Sequence, residues 1–153
     1  MENLIDKYSL SLEEGIEQKV KIIANNSHQY LNKENLNLLF KSLDLTSLNT
    51  DDTHEFIKEL CLKVNRLETA YPEMGHIASV CVYPIFIETV KKTLNNKNIG
   101  IVGVGGNFPS SHTFLNVKKT ECKEIINSGA DEVDVVMPLG NFLAGDYREV
   151  YEE

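Results

Sequence analysis

From residue 42 onward, a short run of strand-forming residues gives way to a stretch of helical period four times in succession. The runs are Ser42–Thr46, Ala78–Tyr83, Asn98–Val104 and the segment within Gly129–Val136. Strands separated by helices cannot pair as hairpins, so this order predicts a parallel sheet built from right-handed crossovers. The intervening segments carry the matching helix signals. Thr50-Asp51-Asp52-Thr53 supplies N-cap residues for a helix through Phe56, Ile57, Leu60, Cys61, Val64 and Leu67, which ends at Tyr71-Pro72. A second helix carries Phe86, Ile87, Val90 and Leu94; a third runs through Val117, Cys122, Ile125 and Ile126 to Gly129, with Ser110, Ser111 or His112 as its cap. A last helix is expected from about Gly145-Asp146. Ahead of the first strand, Ser11-Leu12-Glu13-Glu14 has capping-box spacing and opens an amphipathic run through Ile16, Val20 and Ile23, with a further short helix over Lys33–Phe40. Residues 1–40 therefore read as an N-terminal helical extension, and residues 41–153 as the strand-and-helix repeat.

Alternation along the strands says what the sheet faces. Successive side chains point to opposite sides. Leu43 and Leu45 oppose Ser42, Asp44 and Thr46; Val80 and Val82 oppose Ser79, Cys81 and Tyr83; Val133, Val135 and Met137 oppose Glu132, Asp134 and Val136. The apolar sets suit packing against helices. The other side collects Asp44, Thr46, Ser79, Cys81, Tyr83 and Asp134, and a polar layer on three of the strands fits a barrel interior with an active site better than an open sheet covered by helices. The predicted fold is thus α/β, of the (β/α)8 barrel type, present as about four βα units, a half-barrel, because a complete barrel takes about 250 residues. Asp134 is the most informative member of this set. A carboxylate inside a strand takes up a proton or finds a cation or hydrogen-bond donors. A strand-end aspartate satisfied by backbone amides is the structural alternative.

A net charge of -8 argues against general binding to nucleic acid or to membrane surfaces, but not against a small phosphorylated substrate held by a few local donors. No signal peptide or membrane span is evident, so the expected location is the cytosol. Cys61, Cys81 and Cys122 are scattered, as are His28, His54, His76 and His112; neither a disulfide framework nor a metal centre is indicated, and no cofactor is expected. Gly105-Gly106-Asn107-Phe108-Pro109 lacks nucleotide-loop spacing and reads as a substrate loop or a tight turn.

Leu43-Asp44-Leu45-Thr46-Ser47-Leu48 with Asp52-Thr53, Ala78 to Pro84, Asn107-Phe108-Pro109, and Gly129 to Val136 resemble, in order, the motifs of deoxyribose-phosphate aldolase, a class I aldolase of the (β/α)8 barrel type. The resemblance implies reversible cleavage of 2-deoxy-D-ribose 5-phosphate to acetaldehyde and D-glyceraldehyde 3-phosphate through a lysine Schiff base, without a metal. It implies that Asp134 is the catalytic aspartate of a proton relay, that Asp44 belongs to the supporting catalytic network, and that Thr46, Leu48, Cys81 and Phe108 line the substrate pocket. It extends over only the N-terminal half of the family's barrel. The Schiff-base lysine belongs to the other half, and Lys41, Lys91, Lys92, Lys118, Lys119 and Lys123 do not occupy its motif. The chain alone is therefore expected to be inactive, and its partner to be another copy or a complementary barrel half. Two alternatives stand beside this: a metal-dependent barrel lyase with His112 and Asp134 among the ligands, and a non-catalytic half-barrel that serves as an interaction module.

Overall fold

The computed structural model describes residues 16–153; the capping box at Ser11–Glu14 lies outside the described residues. The chain divides into two compact units, Met1–Leu38 and Leu39–Glu153. In the first, helix α1 (Ile16–Asn26) buries none of its residues and runs into a 3-10 turn at Ser27–Tyr30. Helix α2 (Lys33–Lys41) starts where the Asn32 carboxamide oxygen accepts the Asn35 amide at 2.9 Å, and it ends one residue later than the sequence predicts.

The second unit is the repeat. Its elements are β1 (Asp44–Ser47), α3 (His54–Ala70), β2 (Ser79–Val82), α4 (Ile87–Thr93), β3 (Gly100–Gly105), α5 (Leu115–Asn127), β4 (Glu132–Val135), α6 (Leu139–Ala144) and α7 (Tyr147–Glu152). The four strands pair in parallel in the order β1-β2-β3-β4. Sequential parallel neighbours joined by helices form a run of βα units, and the arrangement is that of half a (β/α)8 barrel. The ladder is shorter than the sequence suggests at the strand starts. Leu43 illustrates this: its carbonyl accepts the Ala78 and Ser79 amides at 3.0 and 3.3 Å while the residue itself precedes β1.

The helix-facing side holds the main core. Val80, Val82 and Ile101 of the sheet pack with Ile57, Cys61 and Val64 of α3, Ile87 and Val90 of α4, and Ile125 of α5; Leu45 and Val133 close it at the two outer strands. The predicted apolar alternation is therefore realised at Val80 and Val82 of β2 and at Leu45 of β1, whereas Leu43 precedes the strand and is 50% exposed. At its centre β3 carries Gly103, where an added Cβ would lie 2.7 Å from Ile125 Cγ2 and 2.8 Å from Ile87 Cδ1. Both helices approach the strand backbone there.

Two local expectations are corrected. Thr53 does cap α3, accepting the Phe56 amide at 3.1 Å. By contrast α5 begins after Phe114 with no side-chain cap. Ser110 Oγ instead takes the His112 amide at 3.3 Å inside the preceding loop, and Ser111 is drawn to Lys118. The last expected helix is found as α7, with Asp146 just before it, while α6 is a further short helix that the sequence reading did not anticipate. Gly145, at φ 84°, ends α6 in the left-handed conformation that glycine adopts without penalty, and α7 starts beyond it. Val135, expected on the helix side, is 60% exposed, because β4 has a strand neighbour on one side only among the described residues.

The close approach at Gly103 makes a direct test. Gly103→Ala should destabilise the unit by about 1–3 kcal/mol, since two packed isoleucines must move. Urea unfolding should show a lowered midpoint with an unchanged slope.

Candidate active site

Parallel register aligns side chains of neighbouring strands in layers. Asp44 lies beside Ser79 and Gly100; Thr46 beside Cys81, Val102 and Glu132; Val104 beside Asp134. The polar residues picked out by alternation thus share the concave side of the sheet. Cys81, Val102 and Val104 form a small buried cluster there, flanked by Leu48, Tyr83 and Phe108. Above it opens a groove of about 350 Å³ lined by Thr46, Leu48, Cys81, Val104, Phe108, Asp134, Val135 and Val136. It stands at the C-terminal ends of the strands, where the loops leave the sheet.

Two carboxylates and a thiol converge at this place. Asp44, Cys81 and Asp134 each bring a ligand atom within 4.8 Å of the others. Cys81 Sγ is 3.9 Å from Asp134 Oδ2, the Ser79 hydroxyl donates to Asp44 Oδ1 at 2.6 Å, and Thr46 Oγ1 donates to the Asp44 carbonyl at 3.2 Å. Asp44 and Asp134 are exposed toward the open groove while Cys81 is buried. Asp134, expected in the polar layer of a barrel interior, is exposed to solvent, and no further strand covers that side of the sheet among the described residues. Burial pushes the Cys81 thiol up to about 12, with the Asp44, Asp134 and Glu132 charges acting in the same direction and a hydrogen bond with Thr46 opposing them. Cys81 is therefore a protonated thiol at neutral pH, a donor toward Asp134 rather than a nucleophile.

The loops that frame the groove are fixed by carboxylates of their own. After β1, Asp52 accepts from Ser47 Oγ at 2.9 Å and from the Asn49 amide at 3.1 Å, which folds the segment carrying Leu48 back against the strand end. After β3, Glu121 Oε2 accepts the Asn107 amide at 2.8 Å, and Phe108 meets Tyr83 edge to face at 6.3 Å. Just before β4, Asp131 accepts the Ile101 amide at 2.9 Å, three residues ahead of Asp134.

The residues that the family resemblance assigns to the site lie in or beside this groove: Thr46, Leu48, Cys81, Phe108 and Asp134 line it, and Asp44 sits one layer below Thr46. Val104, Val135 and Val136 complete the lining. Val104 and Val136 were legible as strand-end residues on the same face, whereas Val135 was not, since its alternation points the other way. No lysine lines the groove among the described residues. His112 and Asp134 do not form a shared ligand set; among the described residues the one grouping with metal-ligand geometry is Asp44, Cys81 and Asp134.

The raised thiols fix a pH dependence. Burial holds Cys61 at about 11 and Cys81 at about 12, against 9.0 for a free thiol. A pKa raised in the folded state adds stability that is complete below pH 9 and is lost as pH rises through 11 to 12. Urea midpoints should be flat from pH 7 to about 9 and fall above it. Cys61→Ala with Cys81→Ala should flatten that fall.

A model of DeoC/LacD family aldolases matches residues 38–153. Among solved structures, the aldolase QR15 is similar at 28% identity and a TM-score of 0.62, over 74% of this chain and 46% of that one. The tetrameric deoxyribose phosphate aldolase of Aeropyrum pernix shares the fold at 23% identity and a TM-score of 0.58, over 77% of this chain and 46% of that one. The chain spans about half the length of the solved structures it matches. The match over most of the sequence, with the parallel βα repeat, shows that the chain belongs to the DeoC/LacD family of aldolases.

Proposed function

We propose that this chain supplies the acid-base half of a deoxyribose-phosphate aldolase site, acting in reversible cleavage of 2-deoxy-D-ribose 5-phosphate to acetaldehyde and D-glyceraldehyde 3-phosphate. The observation that carries the reading is the convergence of Asp44, Cys81 and Asp134 within 4.8 Å at the groove of a DeoC/LacD family chain. In this reaction a lysine amine condenses with the C1 aldehyde and water leaves. The resulting iminium draws the electron pair of the breaking C2–C3 bond into an enamine while the C3 hydroxyl loses its proton; C2 is then protonated and hydrolysis frees acetaldehyde. The steps need groups that take and return protons beside the imine, and Asp134 faces the groove as such a group. Asp44, held by Ser79, supports the arrangement, and the protonated Cys81 donates toward Asp134. Thr46, Leu48 and Phe108 form the walls against the substrate.

The imine-forming lysine would come from further strands completing the barrel, in a continuous polypeptide or in a complementary one. β1 and β4 each have one strand neighbour among the described residues, and Val135, Leu139 and Leu143 near the β4 end are 60%, 55% and 75% exposed. Those edges are where the added half would pair. The chain by itself forms no imine on this reading.

Borohydride reduction in the presence of substrate tests this. The 153-residue chain alone should yield no lysine adduct by mass spectrometry. Together with a complementary C-terminal aldolase half it should yield one on that half, and Asp134→Asn should lower turnover about 100-fold or more while the adduct still forms. An adduct on a lysine of this chain, or full turnover by Asp134→Asn, overturns the proposal.

A further inference from the structure

Lys118 lies on α5, outside the groove, and is 4% exposed. Its ammonium donates to Ser111 Oγ at 2.7 Å and pairs with the Glu153 carboxylate, to which Ser111 Oγ also donates at 3.5 Å. Burying an ammonium costs several kcal/mol, and an apolar side chain of similar volume is often as stable there. The hydrogen bond from Lys118 to Ser111 ties the helix to a defined geometry. What it fixes is the loop between β3 and α5. Ser111 stands at one end of the turn begun by Asn107, whose carbonyl accepts the Ser110 and Ser111 amides at 3.1 and 3.0 Å. Asn107 and Ser111 both hold positive φ, 61° and 59°; asparagine enters this region readily, whereas serine does so uncommonly.

Glu121 is the second constraint. It stands three residues after Lys118, on the same side of α5, and takes the Asn107 amide at 2.8 Å. The helix thus grips the turn at both ends, Asn107 through Glu121 and Ser111 through Lys118. Phe108, the residue of this turn that reaches the groove, lies between the two grips.

We propose that Lys118 and Glu121 are positioning residues that together set Phe108 as a wall of the groove. That this wall bounds a sugar phosphate rests on the aldolase reading above; the positioning itself does not.

Fluorine NMR of the full chain labelled with 4-fluorophenylalanine tests it without substrate. The six phenylalanines give the signals, with Phe108 identified by Phe108→Leu, and Phe86, buried in the outer core, reporting on the fold. Lys118→Met and Glu121→Ala should each shift and broaden the Phe108 signal and leave Phe86 in place. Lys118→Arg and Glu121→Gln, which keep the donor and the acceptor, should restore it. Ser111→Ala, which removes only the lysine's hydroxyl partner, should reproduce the Lys118→Met displacement and serves if Lys118→Met fails to fold. Exchange of the Asn107 amide should quicken about tenfold in Glu121→Ala, the factor equivalent to one hydrogen bond. An unmoved Phe108 signal in these variants, or equal movement of Phe108 and Phe86, overturns the proposal. Because no substrate is present, failure here is separate from failure of the borohydride test.

Discussion

The in-register parallel ladder from β1 to β4 is the constraint on which the rest depends. It sets Asp44 beside Ser79, Thr46 beside Cys81 and Val104 beside Asp134, so residues up to 90 positions apart meet within one groove. A slip of one residue in any strand would send its polar set into the helix-facing core and its valines into the groove. That core fixes the register. Val80, Val82 and Ile101 are buried against α3, α4 and α5, and Gly103 admits Ile87 and Ile125 to within contact of the strand backbone.

The two sides of the sheet use opposite physics. The outer side is dry and close-packed, and its contribution is the burial of apolar area. The concave side holds two carboxylates in contact with solvent beside one buried thiol. Burial and the surrounding negative charge both keep that thiol protonated. The two carboxylates and the thiol thus stand together at the groove of a chain that belongs to an aldolase family.

The groove's walls are placed from outside the sheet. Asp52 folds the loop after β1, while Glu121 and Lys118 reach from α5 to the loop after β3. Each is a charged side chain spent on a backbone amide or a hydroxyl rather than on solvent. Fixing a loop by charge-assisted hydrogen bonds defines a single geometry where apolar contacts alone would leave several.

The sequence by itself determined the class of fold and which face of the sheet carries the polar residues. Four strand-and-helix units force a parallel sheet, and period-two alternation separates Leu45, Val80, Val82 and Val133 from Asp44, Cys81 and Asp134 whatever the remainder of the chain does. Both are local properties of a pleated strand. Tertiary structure decided what local pattern cannot encode. Val135 became a groove residue because β4 is an outer strand here, and Asp134 met solvent because no further strand covers it among the described residues. Lys118 is buried against Ser111 and paired with Glu153, and the serines expected to cap α5 were taken up by the loop between β3 and α5. A side chain's partner across 35 residues of sequence is fixed by how elements dock, and periodicity carries no signal for it.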